Sequence, residues 1–161
     1  MAVRHSYASS ARLLPIKFLF ILIQVLLLTI VVLEKQNHIY FNVGEYYTES
    51  SDEYKSAERT LVGVAYTMMG MCFFEFLMMI VGTSVVPIFA KYNLLQIILH
   101  LLGSLFTLWF ILDSWRYDII WPLFVLFAVL PLLVELGILQ QSIRLKKDIR
   151  RTRDGILKTA K

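Results

Sequence analysis

Residues 16–33 read IKFLFILIQVLLLTIVVL, and this run decides the fold. Apart from Lys17, Gln24 and Thr29 it is apolar from end to end. A helix rises about 1.5 Å per residue and a bilayer's hydrocarbon core is about 30 Å thick, so a run of this length crosses a membrane. It is longer than the apolar region of a signal peptide and has no small-residue cleavage site behind it. Three comparable runs follow, at 61–81, 94–112 and 121–141. The second stops at Gly82, Thr83 and Ser84 before Pro87, and the last opens on Trp121-Pro122. Proline is tolerated in a first helical turn because its missing N–H would have had no partner there.

Composition agrees with the four runs. The 161 residues are 58% hydrophobic and only 17% charged, more apolar than a water-soluble domain of this size can be. Four spans of about 20 residues use about half of such a chain and leave no room for a separate folded domain. The expectation is one polytopic membrane domain over 1–161, all-α, with four transmembrane helices in an antiparallel bundle. Cys72 is the single cysteine and sits inside an apolar run, which excludes an intrachain disulfide framework and a cysteine zinc cluster.

Orientation follows from Lys and Arg close to the spans, which are in excess on the cytoplasmic side. Arg4, Arg12 and Lys17 come before or at the start of the first span with no acid among them. The tail 142–161 carries Arg144, Lys146, Lys147, Arg150, Arg151, Arg153, Lys158 and Lys161 against Asp148 and Asp154. Both termini are therefore expected in the cytoplasm. The loop 34–60 carries six acids against Lys35, Lys55 and Arg59, and is expected outside together with the 113–120 connection. Trp109, Trp115, Tyr117 and Trp121 cluster where the outer interface should lie, as an aromatic belt does.

Gln24, Glu75, His100 and Glu135 are polar residues inside the spans, which lipid-facing helix surfaces do not tolerate. Each lies a comparable distance from the cytoplasmic end of its span, so the four are expected to form one polar layer across the bundle. Gly103 and Ser104, with His100 and Thr107, repeat at helical spacing, and Gly63 and Gly70, with Thr67, do so on the second span. Such small residues let helix backbones approach closely. Pro131 removes a hydrogen bond to the Phe127 carbonyl and should bend the fourth helix. Two readings of the layer stand. In one, a protonated Glu hydrogen-bonds His or the other Glu and fixes the packing. In the other, the carboxylates and imidazole carry protons or ions in a small proton- or ion-coupled transporter.

Outside the spans, Glu45, Tyr46 and Tyr47 lie in an acidic, tyrosine-rich segment that reads as a solvated connector or a protein contact, since tyrosine combines apolar area with a hydrogen-bonding tip. Arg144, Lys146, Lys147, Arg150, Arg151 and Arg153 read as topology determinants that can also hold anionic lipids such as phosphoinositides. There is no Ser-His-Asp set, phosphate loop or zinc-protease motif, so an enzyme is not expected, nor a cofactor or metal. The basic residues lack the aromatic interleaving of a nucleic-acid surface.

With these residues in view, the chain resembles the transmembrane protein 107 family, four-span proteins of the ciliary transition zone. The most specific part is the block from Trp115 through Trp121, Phe124-Val125, Ala128, Leu130-Pro131 and Val134-Glu135. Glu45-Tyr46, Phe74-Glu75 and His100 add to it. The resemblance implies a non-enzymatic organiser in the ciliary membrane at the transition zone. It would act alongside tectonic and Meckel-syndrome-type proteins, supporting ciliogenesis and the ciliary diffusion barrier.

Overall fold

In a computed structural model, the backbone is described over residues 2–43, 51–80 and 90–159, and the side chains over 13–40, 51–80 and 91–152. The described chain is helical, with α1 at Ala2–Leu33, α2 at Lys35–Val43, α3 at Asp52–Ile80, α4 at Ala90–Leu112, α5 at Ile120–Phe124 and α6 at Leu130–Thr159. Four stretches are long and apolar enough to span a membrane: Leu13–Leu33, Asp52–Ile80, Lys91–Leu112 and Tyr117–Thr152. Leucines such as Leu19, Leu26, Leu105 and Leu133 stand on the outside, the arrangement a hydrocarbon solvent requires.

The helices run past the apolar stretches. The second begins at Asp52, well before Leu61, because helical hydrogen bonding continues into the polar interface. Ser51 caps it, its hydroxyl oxygen accepting from the Tyr54 N–H at 3.2 Å, and Asp52 and Glu53 in the first turn suit the positive end of the helix dipole. The segment between the first two spans also contains the short helix α2. At the other end, α6 carries the basic tail on without a break to Thr159.

Burial follows helical periodicity. On α3 the buried residues Leu61, Val64, Ala65, Met68, Cys72 and Glu75 recur every three or four positions, as one stripe facing the bundle. The most extensive contact joins α1 and α4, the two helices that cross in the same direction. α3 packs on α1 and α6, and α4 packs on α6. At the C-terminal end of α4, Ser114 takes a left-handed backbone (φ 46°), and the Trp115 N–H returns to the Phe110 carbonyl at 3.3 Å, which closes the helix. Asp113 accepts from the indole N–H of Trp109 at 2.8 Å and of Trp115 at 3.2 Å, which fixes these two belt residues.

The fourth span is not a uniform helix. Between α5 and α6 the chain makes a widened π turn over Val125–Val129, just before Pro131. A widened turn and a proline both displace backbone hydrogen bonds, so carbonyls here need donor partners from elsewhere. Those partners are the side chains of the polar layer.

Candidate functional site: a two-tier polar network inside the bundle

Lys17, Gln24, Glu75, Gln96, His100 and Glu135 are all completely buried, and they connect all four spans. Gln24, Glu75 and His100 form the first tier. The His100 Nδ1 lies 2.7 Å from Gln24 Oε1, and its Nε2 lies 2.8 Å from Glu75 Oε2. An amide oxygen only accepts, so Nδ1 carries a proton and donates it. On the other side, either imidazolium faces carboxylate or neutral imidazole accepts from a protonated Glu75; both pairs are neutral overall. Gln24 Nε2 then donates to the Phe127 carbonyl at 3.3 Å. This is the carbonyl that Pro131 leaves without its helical partner, and Gln24 satisfies it from α1.

Lys17, Gln96 and Glu135 form the second tier, about one to two helical turns nearer the basic end of the bundle. Lys17 Nζ donates to Gln96 Oε1 and to Glu135 Oε2, each at 2.8 Å. Gln96 Nε2 donates to Glu135 Oε2 at 2.9 Å and to the Pro131 carbonyl at 3.1 Å. An ammonium and a carboxylate thus neutralise each other in a fully buried site, with an amide bracing both.

This arrangement corrects the single level read from the sequence. Gln24, Glu75 and His100 are brought together, while Glu135 belongs to the lower tier with Lys17. Two members had not been recognised. In the sequence Lys17 reads as a topology signal, and Gln96 does not stand out. Their spacing carried the signal: Lys17 and Gln24 are two turns apart on one helix face, and Gln96 and His100 one turn apart on another. Glu75 Oε1 and Ser104 Oγ are buried without a hydrogen-bond partner among the described residues.

The small residues divide. A Cβ on Gly103 would lie 2.8 Å from Phe127 Cβ and 3.1 Å from Gln24 Nε2, so this glycine permits close approach of α4 to the widened turn. At Gly63 and Gly70 a Cβ would meet nothing within 4 Å. Contrary to the sequence expectation, those two do not set a helix approach within the bundle; they open onto its outer surface.

Outside the spans, His38 is buried and stacks on Phe110, ring centroids 4.6 Å apart. Burial pushes its imidazole below the ordinary histidine range, against weaker opposing effects from Glu34 and a Trp115 backbone hydrogen bond. Lys35 pairs with Glu58, and that hydrogen bond holds its ammonium above the usual lysine value. Glu45, Tyr46 and Tyr47 lie outside the described residues, as does the side chain of Arg153. Arg144, Lys146, Lys147, Arg150 and Arg151 are exposed on α6. Among the described residues, no group of three or more His, Cys, Asp or Glu could hold a metal ion.

Four apolar spans locked by a buried, charge-balanced network define a multi-pass, all-helical membrane protein. The family model described as TMEM107, transmembrane protein, matches residues 13–139, a range that includes every member of both tiers. The chain belongs to the TMEM107 family. Neither the curated proteins nor the solved structures yielded a match.

Proposed function

We propose that the chain is a non-enzymatic membrane organiser of the ciliary transition zone, where it supports assembly or localisation of a tectonic and Meckel-type complex. Family membership over residues 13–139 carries this reading. The buried network supports it, because its side chains bond one another and the Phe127 and Pro131 carbonyls of the fourth span. In this role the protein contributes a rigid four-span surface for neighbouring membrane proteins and lipids. The segment with Glu45, Tyr46 and Tyr47 is offered as a partner contact. The exposed Arg144, Lys146, Lys147, Arg150 and Arg151, with Arg153, are offered as a site for anionic head groups including phosphoinositides, since each basic residue near an anionic leaflet contributes about 1 kcal/mol.

The competing reading, a proton- or ion-coupled transporter using Glu75, His100 and Glu135, draws on the hydrogen-bonded run from Glu75 through His100 to Gln24. That run ends on the Phe127 carbonyl, and an amide neither takes up nor releases a proton in ordinary chemistry, so the relay stops there. Tagged protein in a ciliated cell should concentrate at the ciliary base. Even distribution over the plasma membrane would overturn the proposal.

A further inference from the structure

Two adjoining hollows lie on the face between α3 and the fourth span. One, of about 430 Å³, is floored by Gly63 and Thr67, walled by Trp121 and Phe124, and has Arg59 at its mouth. The other, of about 490 Å³, shares Thr67 and continues past Gly70 to Leu132 and Leu136. We propose that this groove binds an anionic phospholipid of the leaflet at the Arg59 end, with the phosphate on Arg59 and an acyl chain laid over Gly63, Thr67 and Gly70.

The groove has room for a guest. A Cβ at Gly63 or Gly70 meets nothing within 4 Å, so the glycines face space that the bundle leaves unfilled. The groove's floor also offers no free hydroxyl donor where a chain would lie, because the Thr67 hydroxyl donates to its own helix at the Gly63 carbonyl, 2.8 Å away.

The mouth supplies the charge that selects the occupant. Arg59 is exposed and makes no ion pair among the described residues. It sits beside Trp121, whose ring belongs at head-group depth, so its guanidinium is level with lipid phosphates and matches their geometry. One leaflet is about 15 Å deep, which is about ten residues of helix. Counted from Arg59, that depth ends near Gly70, so a chain held at Arg59 runs through the first hollow and into the second. A partner's transmembrane helix could lie over the glycines but would leave Arg59 without an anion at this depth. The binding site is independent of the proposed ciliary role.

The test uses the full chain in phosphatidylcholine vesicles containing a dilute phosphatidylglycerol probe with a photoactivatable acyl chain, and cross-linked peptides are mapped. Labelling should concentrate on residues 63–71 and 121–136. Gly63→Leu with Gly70→Leu should fill the groove and remove that labelling while leaving the Leu19 and Leu26 face of α1 unchanged. Arg59→Gln, at an exposed position, should lower groove labelling by the anionic probe about fivefold, the effect of one basic residue on an anionic lipid. A phosphatidylcholine probe with the same chain, matched to its host at the head group, should not respond to Arg59→Gln. Labelling spread evenly over the outer surface, or insensitive to both variants, would overturn the proposal. So would efficient disulfide dimers of Gly63→Cys, which would assign the groove to a second copy.

Discussion

Replacing Lys17 by methionine should destabilise the bundle far more than replacing Lys17 and Glu135 together. The two charges are 2.8 Å apart and both side chains are fully buried. With an effective dielectric of about 20, their attraction is about 6 kcal/mol, and the desolvation of two ions, several kcal/mol each, largely cancels it. The pair therefore has a small net effect, whereas one survivor without its partner costs about 3–5 kcal/mol. At about 2–4 °C per kcal/mol for a chain of this size, Lys17→Met or Glu135→Leu should lower the unfolding midpoint by about 6–20 °C. The double variant should come within about 1 kcal/mol of wild type. Gln96 would lose two partners in that variant but keep the Pro131 carbonyl at 3.1 Å. Tryptophan-monitored thermal unfolding in one fixed detergent reads all four members of the cycle. Additive losses in the double variant would refute the argument, because they would show that neither charge depends on the other.

Further outcomes follow from the same geometry. Gly103→Ala should destabilise by about 1–3 kcal/mol, since its Cβ meets Phe127 Cβ at 2.8 Å, whereas Gly63→Ala and Gly70→Ala, in open space, should be neutral or stabilising by up to about 1 kcal/mol; thermal unfolding separates them. His100→Ala strands Glu75 and Gln24 in a buried site and should cost about 2–4 kcal/mol in the same assay, with Glu75→Gln milder because the amide can still pair with the ring. His38 gives a pH dependence. Burial lowers its folded value, so the unfolded chain takes a proton first as pH falls below about 6.5, and stability falls by up to about 1.4 kcal/mol per pH unit until the folded value is reached. His38→Gln should remove that slope, and an unchanged slope would contradict the assignment.

The four spans were legible because hydrocarbon imposes a crude rule: long apolar runs with capped or proline-marked ends. Gln24, Glu75, His100 and Glu135 stood out for the same reason, as polar residues where lipid excludes them. Lys17 did not, because a lysine at the edge of a span has an ordinary explanation as a topology signal, and only its helical phase relative to Gln24 hinted that it turns inward. Pro131 announced a displaced Phe127 carbonyl, but the widened turn at Val125–Val129 and the donor that satisfies this carbonyl depend on how α1, α4 and α6 meet. Gly63 and Gly70 misled, because glycine spacing marks a surface that permits close approach without saying whether anything in the same chain approaches it. The early start of α3 could have been read from Ser51, Asp52 and Glu53, an N-cap followed by first-turn acids.

On the proposed function the chain organises a membrane complex, and its intramembrane charges serve to hold the bundle together. In ciliated cells lacking the chain, the amount of tectonic-type protein at the ciliary base should fall. Wild type and Glu75→Gln, expressed to equal folded levels, should restore it equally. A folded and correctly localised Glu75→Gln that fails to restore it would contradict the claim and return the buried carboxylate to an active role.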